Sequence, residues 1–520
     1  MPPEMQSEII SALPDIISDS DSTQVSSVLA GMMNDTPELM LPILEALGSL
    51  ECSMNLMERV RNSVITFLIS AEPAELPVMV RFLLQSVSSE AAAPTIQRIR
   101  GRLDLDAVVL TAKQRSDKAD RSAPDVLIFD TIATCLRSHK HLRDAWLKVI
   151  VNDTAVVGSH TTLDVVVLLI LHQFTTHTKR VESALRAKID AVSSQLVAYT
   201  PKLLESIVSR FPAVFSAHFP ALLSISSWLI RSSPLGSQGS RVASTIVVAA
   251  FGAMGMFQRQ EITGELAIHI GSGNANEVDT AARTCLHLAQ RYPFELRPFA
   301  VFIKGLLDYV DNLSIEHMRV IFDVLGILST LDVSGGGGGD GNGDGDSMFN
   351  DLYIFVRKQL SSVYPKYNRI GIVGTVSLLR QLGAKDSTAG AGMLDSAMEG
   401  SSSQLPTSTA NVQALRRAVQ LLEMLMDSGR HQSWAFLSMT YDELAHIVET
   451  QGLHPQLLNW LHENVSSTFA DLFLGDEERM TERYLLAAPP PVALSLDDEE
   501  STILDIFNHN GDAAALGLDR

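Results

Sequence analysis

The chain has 520 residues, of which 46% are hydrophobic and 6% aromatic, so it is long enough to bury a core and too long for one compact domain. Its 60 acidic residues against 40 basic ones give a formal net charge of −20. That balance repels nucleic-acid phosphates on average, which argues against a surface that binds nucleic acid all over. Local basic faces remain compatible with it.

Apolar residues recur at helical spacing along most of the chain, with short breaks. The predicted helices span residues 38–50, 56–69, 76–87, 124–136, 164–174, 244–257 and 278–290, and residues 201–230 hold two more, divided by Pro212 and Pro220. No alternating pattern of convincing length predicts a strand. Successive helices joined by short turns are typical of an all-α fold, the α-solenoid. Because no strict period recurs, we expect degenerate HEAT- or armadillo-like helical pairs.

Segments of unusual composition divide this helical chain, because stretches rich in Gly, Ser or Asp cannot pack a core. The expected organisation is N-terminal helical repeats (1–110), a polar loop (111–123), a central α-solenoid (124–333), a disordered Gly/Asp-rich insertion (334–347), a helical segment (348–384), a flexible Ser/Gly-rich insertion (385–410), a second helical segment (411–486) and an acidic, Pro-containing, loosely ordered tail (487–520).

Cysteine usage and hydropathy bear on the compartment. Cys52, Cys135 and Cys285 lie far apart among apolar residues, which indicates buried thiols in a reducing compartment. No secretory signal opens the chain, and its most apolar run, residues 163–171, is about half as long as a membrane span. No association with a membrane is therefore expected.

One stretch resembles a calcium-binding loop. Asp340, Asn342, Asp344 and Gly345, with Asp351, match the ligand spacing of an EF-hand. However, five glycines stand where the entering helix should be, so we interpret the stretch as a Gly/Asp-rich linker.

Other possible sites are incomplete. Gly271–Asn276 lacks the strand, third glycine and lysine of a phosphate-binding loop, so a turn followed by a helix cap explains it better. Cys135, His139 and His141 have no fourth zinc ligand nearby in sequence. We therefore expect no catalytic centre, no metal site and no cofactor.

One lysine has an unusual position on its predicted helix. The apolar stripe of this helix consists of Val181, Leu185, Ile189, Val192 and Leu196. At about 100° per residue, Lys188 lies roughly 60° from the centre of the stripe, at the margin of the buried face. A lysine there can bury its stem while its amine reaches water or a partner surface, as an ordinary snorkelling lysine does.

Basic residues gather in three regions, each compatible with a solvated helix face as well as with an anion-binding surface. These are Arg98, Arg100, Arg102, Lys113, Arg115, Lys118 and Arg121; then Lys179, Arg180, Arg186 and Lys188; then Arg357, Lys358, Lys366 and Arg369.

Several long segments closely resemble the Fanconi anaemia group D2 protein family, in the same order and at similar spacing, over about residues 35–475. They are residues 75–84, 102–106, 269–281, 301–314, 356–363, 371–374, 438–445 and 453–460. Members of this family are far longer, so the chain corresponds to their central part. Helical composition alone does not produce agreement of this length.

The resemblance implies a nuclear scaffold, not an enzyme, that acts in the Fanconi anaemia pathway of interstrand crosslink repair. Such a protein pairs with the group I paralogue and is monoubiquitinated by the ubiquitin ligase of the pathway. The pair then clamps double-stranded DNA. The acceptor lies in a Leu-Arg-x-Lys-Ile pattern, here Leu185–Ile189, which makes Lys188 the expected site of the isopeptide bond. Positive charge on Arg186, Lys179 and Arg180 would favour the neutral amine that attacks the ubiquitin thioester.

Two further expectations concern regulation and the alternative function. Ser403 precedes Gln404 in the flexible insertion and is the most accessible Ser-Gln pair, a dipeptide favoured by checkpoint kinases, so it is a predicted phosphorylation site. The competing interpretation is a generic helical-repeat adaptor that binds other proteins and has no ubiquitin switch.

Overall fold

A computed structural model of the chain describes residues 2–105, 124–152, 161–190, 201–334, 347–383, 407–429, 434–450, 452–466, 492–494 and 502–504. The predicted polar loop, most of the Gly/Asp-rich insertion and Ser403 lie outside these ranges. The described residues fall into two compact units, residues 1–258 and 259–520.

The first unit is helical throughout its described residues. Its helices are α1 (Pro3–Ile16), α2 (Asp19–Asp35), α3 (Met40–Ser49), α4 (Met54–Phe67), α5 (Leu76–Gln85), α6 (Ala92–Arg102), α7 (Pro124–Ser138), α8 (Lys140–Asn152), α9 (Thr162–His172), α10 (Thr178–Asp190), α11 (Pro201–Arg210), α12 (Pro212–Ala217), α13 (Phe219–Ser232) and α14 (Gln238–Ala253), with a 3-10 turn at Pro37–Leu39.

The second unit is also mainly helical. Its elements are α15 (Met256–Ile270), which begins just before the boundary, α16 (Ala275–Arg291), α17 (Pro293–Leu296), α18 (Ala300–Lys304), α19 (Ile315–Ser334), α20 (Ser347–Leu360), α21 (Pro365–Leu382), α22 (Thr407–Gly429), α23 (Trp434–Thr450) and α24 (Pro455–Leu461), with 3-10 segments at Arg297–Phe299 and Gly305–Asn312, a π-helical turn at His462–Ser466, and the strands β1 (Val492–Leu494) and β2 (Thr502–Leu504).

Helices of the first unit stack on their second neighbours. Helix α1 packs on α3, α3 on α5 and α5 on α7, while α2 packs on α4, α4 on α6 and α6 on α8. This pattern places alternate helices in two rows, so each helical pair buries its apolar stripes against the next pair. The chain is therefore an all-α protein built as an α-solenoid of helical pairs, as the sequence predicted.

Helix α21 is the centre of the second unit. It contacts α19, α20, α22 and α23, and almost every residue from Asn368 to Leu379 is buried. Two glycines allow this close packing. A Cβ atom on Gly371 would lie 2.7 Å from the backbone nitrogen of Leu360, and one on Gly374 would lie 2.8 Å from the Phe322 ring.

The structure differs from the sequence-based expectation in several places, among them residues 201–232, the start of α14 and the tail. Residues 201–232 form three helices, not two, because prolines stand in the first turn of each of α11, α12 and α13, where no N–H donor is needed. Helix α14 begins before residue 244, since the Ser237 hydroxyl caps it by accepting a bond of 3.3 Å from the Ser240 nitrogen. In the tail, β1 and β2 pair antiparallel, with Val492 opposite Leu504.

The cysteines agree largely with expectation. Cys135 and Cys285 are buried free thiols, whereas Cys52 is partly exposed. Burial raises the pKa of the Cys285 thiol to about 12, so this sulfur is chemically inert in the folded protein.

We expect Gly374→Ala to destabilise the second unit by about 1–3 kcal/mol, because the added methyl group has no room beside Phe322 and Val356. The matched control is Gly264→Ala, also inside a helix, where apart from the adjacent residues and the backbone of its own helix no atom lies within 4 Å of the added Cβ. This variant should be neutral or stabilise the fold by up to about 1 kcal/mol. Urea unfolding followed by circular dichroism measures both. Equal midpoints for the two variants would contradict the close packing of α21.

Candidate functional site

The helix that carries Lys188 is positioned by its predecessor, α9, which is buried on nearly every side. Inside its first turn lies Asp164, which has no exposed surface. Arg100 of α6 donates to both carboxylate oxygens of Asp164, at 2.7 Å each. Thr161 completes a capping box: its backbone N–H donates to the Asp164 carboxylate at 2.8 Å, and its hydroxyl accepts from the Asp164 backbone N–H at 3.3 Å. The buried charge is thus fully paired.

Two buried histidines lie at the turn from α9 to α10. Burial lowers the pKa of His172, against the opposing effect of Glu182, whose carboxylate lies 3.5 Å from the ring. Burial also lowers the pKa of His177, whose Nε2 lies 3.3 Å from the Asp144 carboxylate of α8. Arg180 donates to the same carboxylate at 2.5 Å and thereby lowers the pKa of Asp144. This cluster ties the start of α10 to α8.

Lys188 lies deeper than its helical-wheel angle predicts. The buried residues of α10 are Val181, Leu185, Lys188 and Ile189, and only 8% of Lys188 is exposed. The buried face of α10 is wider than a single apolar stripe because the helix packs against both α9 and α14. Within the part of the chain that the structure describes, the amine has no hydrogen-bond or ion-pair partner. The predicted continuation of the stripe at Val192 and Leu196 lies outside the described residues.

The three cations predicted to surround Lys188 behave differently from one another. Lys179 and Arg180 are exposed in the first turn of α10, and Arg180 is paired with Asp144. Arg186 instead reaches α13, where it donates to the Ser232 carbonyl at 3.3 Å and to the Ser232 hydroxyl at 2.5 Å. Its guanidinium carbon also lies 5.2 Å from the centre of the Trp228 ring, a cation–π contact.

An apolar cavity of about 50 Å³ lies beneath α10. Leu185 and Ile189 of α10 line it, together with apolar side chains of α9, α11, α12, α13 and α14. An unfilled volume of this size costs about 1 kcal/mol of stability. Leu185 and Ile189, which lie beside Lys188 on the buried face of α10, are therefore incompletely packed.

The other two basic regions also contain both paired and exposed cations. In the first basic region, Arg100 forms a buried ion pair with Asp164 and is therefore not available to bind another anion. In the third, Lys366 pairs with Asp311 at 3.0 Å, whereas Arg357, Lys358 and Arg369 are exposed at the end of α20 and the start of α21. This third region thus presents three exposed cations close together in sequence.

The remaining sequence patterns have structural explanations. Gly273 has φ of 78°, and Asn274 caps α16 by accepting from the Asn276 nitrogen at 3.2 Å, which confirms the turn-and-cap interpretation. Asp351, the last residue of the calcium-like pattern, forms an ion pair with Lys304, while the rest of that pattern lies outside the described ranges.

Metal-binding clusters and membrane-spanning helices are both absent from the described ranges. No group of three or more His, Cys, Asp or Glu side chains there could hold a metal ion. Nor does any helix in that part of the chain have the length and apolarity to cross a bilayer.

Residues 1–506 match the family model described as "Fanconi anaemia protein FancD2 nuclease". The chain belongs to this family. It is 31% identical over 497 residues to the mouse "Fanconi anemia group D2 protein homolog", an alignment that covers 91% of this chain and 32% of the relative. The chicken "Fanconi anemia group D2 protein" is 28% identical over 521 residues, covering 96% and 34%. The FancD2-family chain thus spans about a third of the length of these relatives.

A looser similarity links the chain to the crystal structure of Kap121p. That alignment is 11% identical, covers 85% of this chain and 54% of the other, and has a TM-score of 0.18. The score is too low to add to the description of the fold.

We expect the first unit of this FancD2-family chain to lose stability as the pH falls below 6.5. Burial lowers the pKa of His172, His177 and His218 in the folded state, so the unfolded chain binds protons first. The stabilisation is complete above pH 6.5, the ordinary histidine value, and is lost progressively as the pH falls through the lowered values. His177→Gln should show a shallower pH dependence of the thermal midpoint between pH 6.5 and 5, whereas the exposed control His446→Gln should match the wild type.

Proposed function

We propose that the chain is the part of a nuclear DNA-repair scaffold that receives a single ubiquitin on Lys188. The scaffold acts in the Fanconi anaemia pathway, pairs with the group I paralogue and, once modified, clamps double-stranded DNA at interstrand crosslinks. Family membership over residues 1–506 is the observation that carries this proposal. The acceptor pattern Leu185–Ile189 supports the choice of lysine, and it lies on a described helix, α10.

Modification requires one acyl transfer. The neutral Nζ of Lys188 attacks the thioester carbonyl of ubiquitin carried by a conjugating enzyme, the C–S bond breaks, and the thiolate leaves. The amine loses its remaining extra proton to solvent or a base, and an isopeptide bond is formed. The absence of a carboxylate partner for Lys188 among the described residues favours this step, because no ion pair has to be broken first.

The scaffold role follows from the resemblance to the family, and catalysis by the chain itself is the alternative. The word nuclease in the family description would be supported by a cluster of carboxylates that holds metal ions for phosphodiester cleavage. Over the described residues, no such group of three ligands is present. Cleavage of a flapped or crosslinked DNA substrate by the purified chain with Mg²⁺ or Mn²⁺, at a level above a mock preparation, would favour the nuclease alternative.

Lys188→Arg is expected to abolish monoubiquitination by the pathway ligase in a reconstituted reaction with the group I paralogue and DNA. The folded structure should be unaffected, because arginine keeps the apolar stem and the charge. The matched control is Lys179→Arg on the first turn of the same helix, which should be modified like the wild type. A Lys188→Arg protein that still receives one ubiquitin at the wild-type rate would refute the assignment and favour the adaptor interpretation.

Among the described residues, the third basic region is a surface suited to DNA phosphates. Between Leu352 and Gly383 the sequence contains no acidic residue, although the whole chain has a net charge of −20. Its exposed cations Arg357, Lys358 and Arg369 have no ion-pair partner within the described ranges. Long-range repulsion from the acidic remainder opposes binding, so contact with DNA here should be weak on its own.

We expect the isolated chain to bind duplex DNA weakly and with steep salt dependence. Replacing Arg357, Lys358 and Arg369 with Gln should reduce the slope of log K against log salt by roughly 2–3, since each phosphate contact contributes about 0.9. Replacing the exposed Arg59, Lys140 and Lys148 with Gln, which changes the net charge equally, should leave the slope near the wild-type value. Fluorescence anisotropy over a salt series measures it, and equal slopes for the two triple variants would exclude this surface.

A further inference from the structure

Among the described residues, the last turn of α10 is buried on one side only. Of residues 187–190, only Lys188 and Ile189 are buried. Ile189 lines the cavity of about 50 Å³, so part of its surface meets empty space instead of side chains. The cavity therefore weakens the apolar packing of this turn, which contains the proposed acceptor.

Arg186 supplies a polar attachment at the start of that turn. It bonds the carbonyl and the hydroxyl of Ser232 and packs its guanidinium against Trp228. On the helical wheel, Arg186 lies roughly 160° from Lys188, so the two side chains leave α10 on opposite flanks of the buried stripe. The Arg186–Ser232–Trp228 contact, hereafter the clasp, thus fixes the turn without touching the lysine.

The clasp has neutral partners, whereas an ion pair attaches the other end of α10. Arg180 forms an ion pair with Asp144 on a surface where both side chains are about half exposed, 52% and 43%. Arg186 has neutral partners and lies in a part-buried position. Its release therefore separates no opposite charges, and the guanidinium regains water when it leaves.

We propose that Arg186 is a positioning residue for the acceptor: the clasp keeps the last turn of α10 docked and Lys188 shielded, and opening of the clasp delivers Lys188 to the incoming thioester. The proposal rests on the proposed function for the identity of the reaction, but the shielding of Lys188 is a property of the fold. Since only 8% of Lys188 is exposed, the docked turn leaves little of this side chain for a conjugating enzyme to reach.

The first test compares two lysines of the wild-type chain. Brief treatment with an amine-reactive acetylating reagent, followed by mass spectrometry of peptides, gives the modification rate at each. Lys179 is exposed on the first turn of α10 and serves as the internal reference. Lys188 should react at least several-fold more slowly than Lys179. Equal rates would overturn the proposal without any variant.

The second test opens the clasp from the side of α13. Trp228→Leu combined with Ser232→Ala removes the ring and the hydroxyl while it leaves every residue of α10 unchanged. The Lys188-to-Lys179 ratio should rise roughly five- to tenfold, the factor expected for the loss of one cation–π contact and one hydrogen bond. The control Arg180→Gln, which releases the opposite end of the helix, should change the ratio less than about twofold.

A third variant works in the opposite direction. Val242→Ile adds one methylene group to the wall of the cavity below α10 and should lower the ratio, because the docked turn gains packing. Circular dichroism and thermal midpoints confirm that each variant is folded. If the clasp variant is folded and its ratio equals that of Arg180→Gln, the clasp does not control Lys188.

Reconstituted ubiquitination of the same variants separates this proposal from the function on which it rests. A faster rate on Lys188 in the clasp variant, parallel to its labelling, supports both. If the Lys188-to-Lys179 labelling ratio rises in the clasp variant but ubiquitin is attached to another lysine, the shielding by the clasp is supported and the assignment of Lys188 as the acceptor is wrong. If the labelling ratio rises but the rate of ubiquitination of Lys188 stays constant, the clasp does not position the acceptor for the reaction.

Discussion

The placement of α10, which carries the proposed acceptor Lys188, depends on one buried ion pair, between Arg100 and Asp164. Helix α9 is apolar enough to be buried almost completely, but its first turn carries a carboxylate without exposed surface. Two bonds from Arg100 and the backbone N–H of Thr161 satisfy that carboxylate. Removal of one partner from such a pair typically costs about 3–5 kcal/mol. The pair fixes α9 to α6, and the following turn then fixes where α10 begins.

The start and the end of α10 are attached by different kinds of contact. The first turn is tied to α8 through Asp144, and the buried histidines at the preceding turn favour the neutral state at pH 7. The last turn rests on a cavity and on the contact of Arg186 with Ser232 and Trp228. In the proposed role, such a site combines a defined location with local opening of the turn that carries the buried lysine.

Sequence periodicity was sufficient for the architecture and for the buried stripe Val181, Leu185 and Ile189, because both depend on local spacing. The depth of Lys188 could not be predicted, since it depends on packing against α9 and α14. Ser232 and Trp228 lie more than forty positions from Arg186 and carry no motif that links them to it. Asp164, three residues after Thr161 in an otherwise apolar run, was a visible capping signal, but its partner Arg100 was not.

The most direct measurement is a search for the ubiquitin remnant on tryptic peptides of the protein isolated from cells treated with a DNA crosslinker. Acceptor function at α10 predicts the remnant on Lys188, with an amount that rises after damage. A remnant found only on other lysines, in protein that is abundant, nuclear and well covered by peptides around residue 188, would contradict it. In that case the fold would serve as a scaffold without the ubiquitin switch.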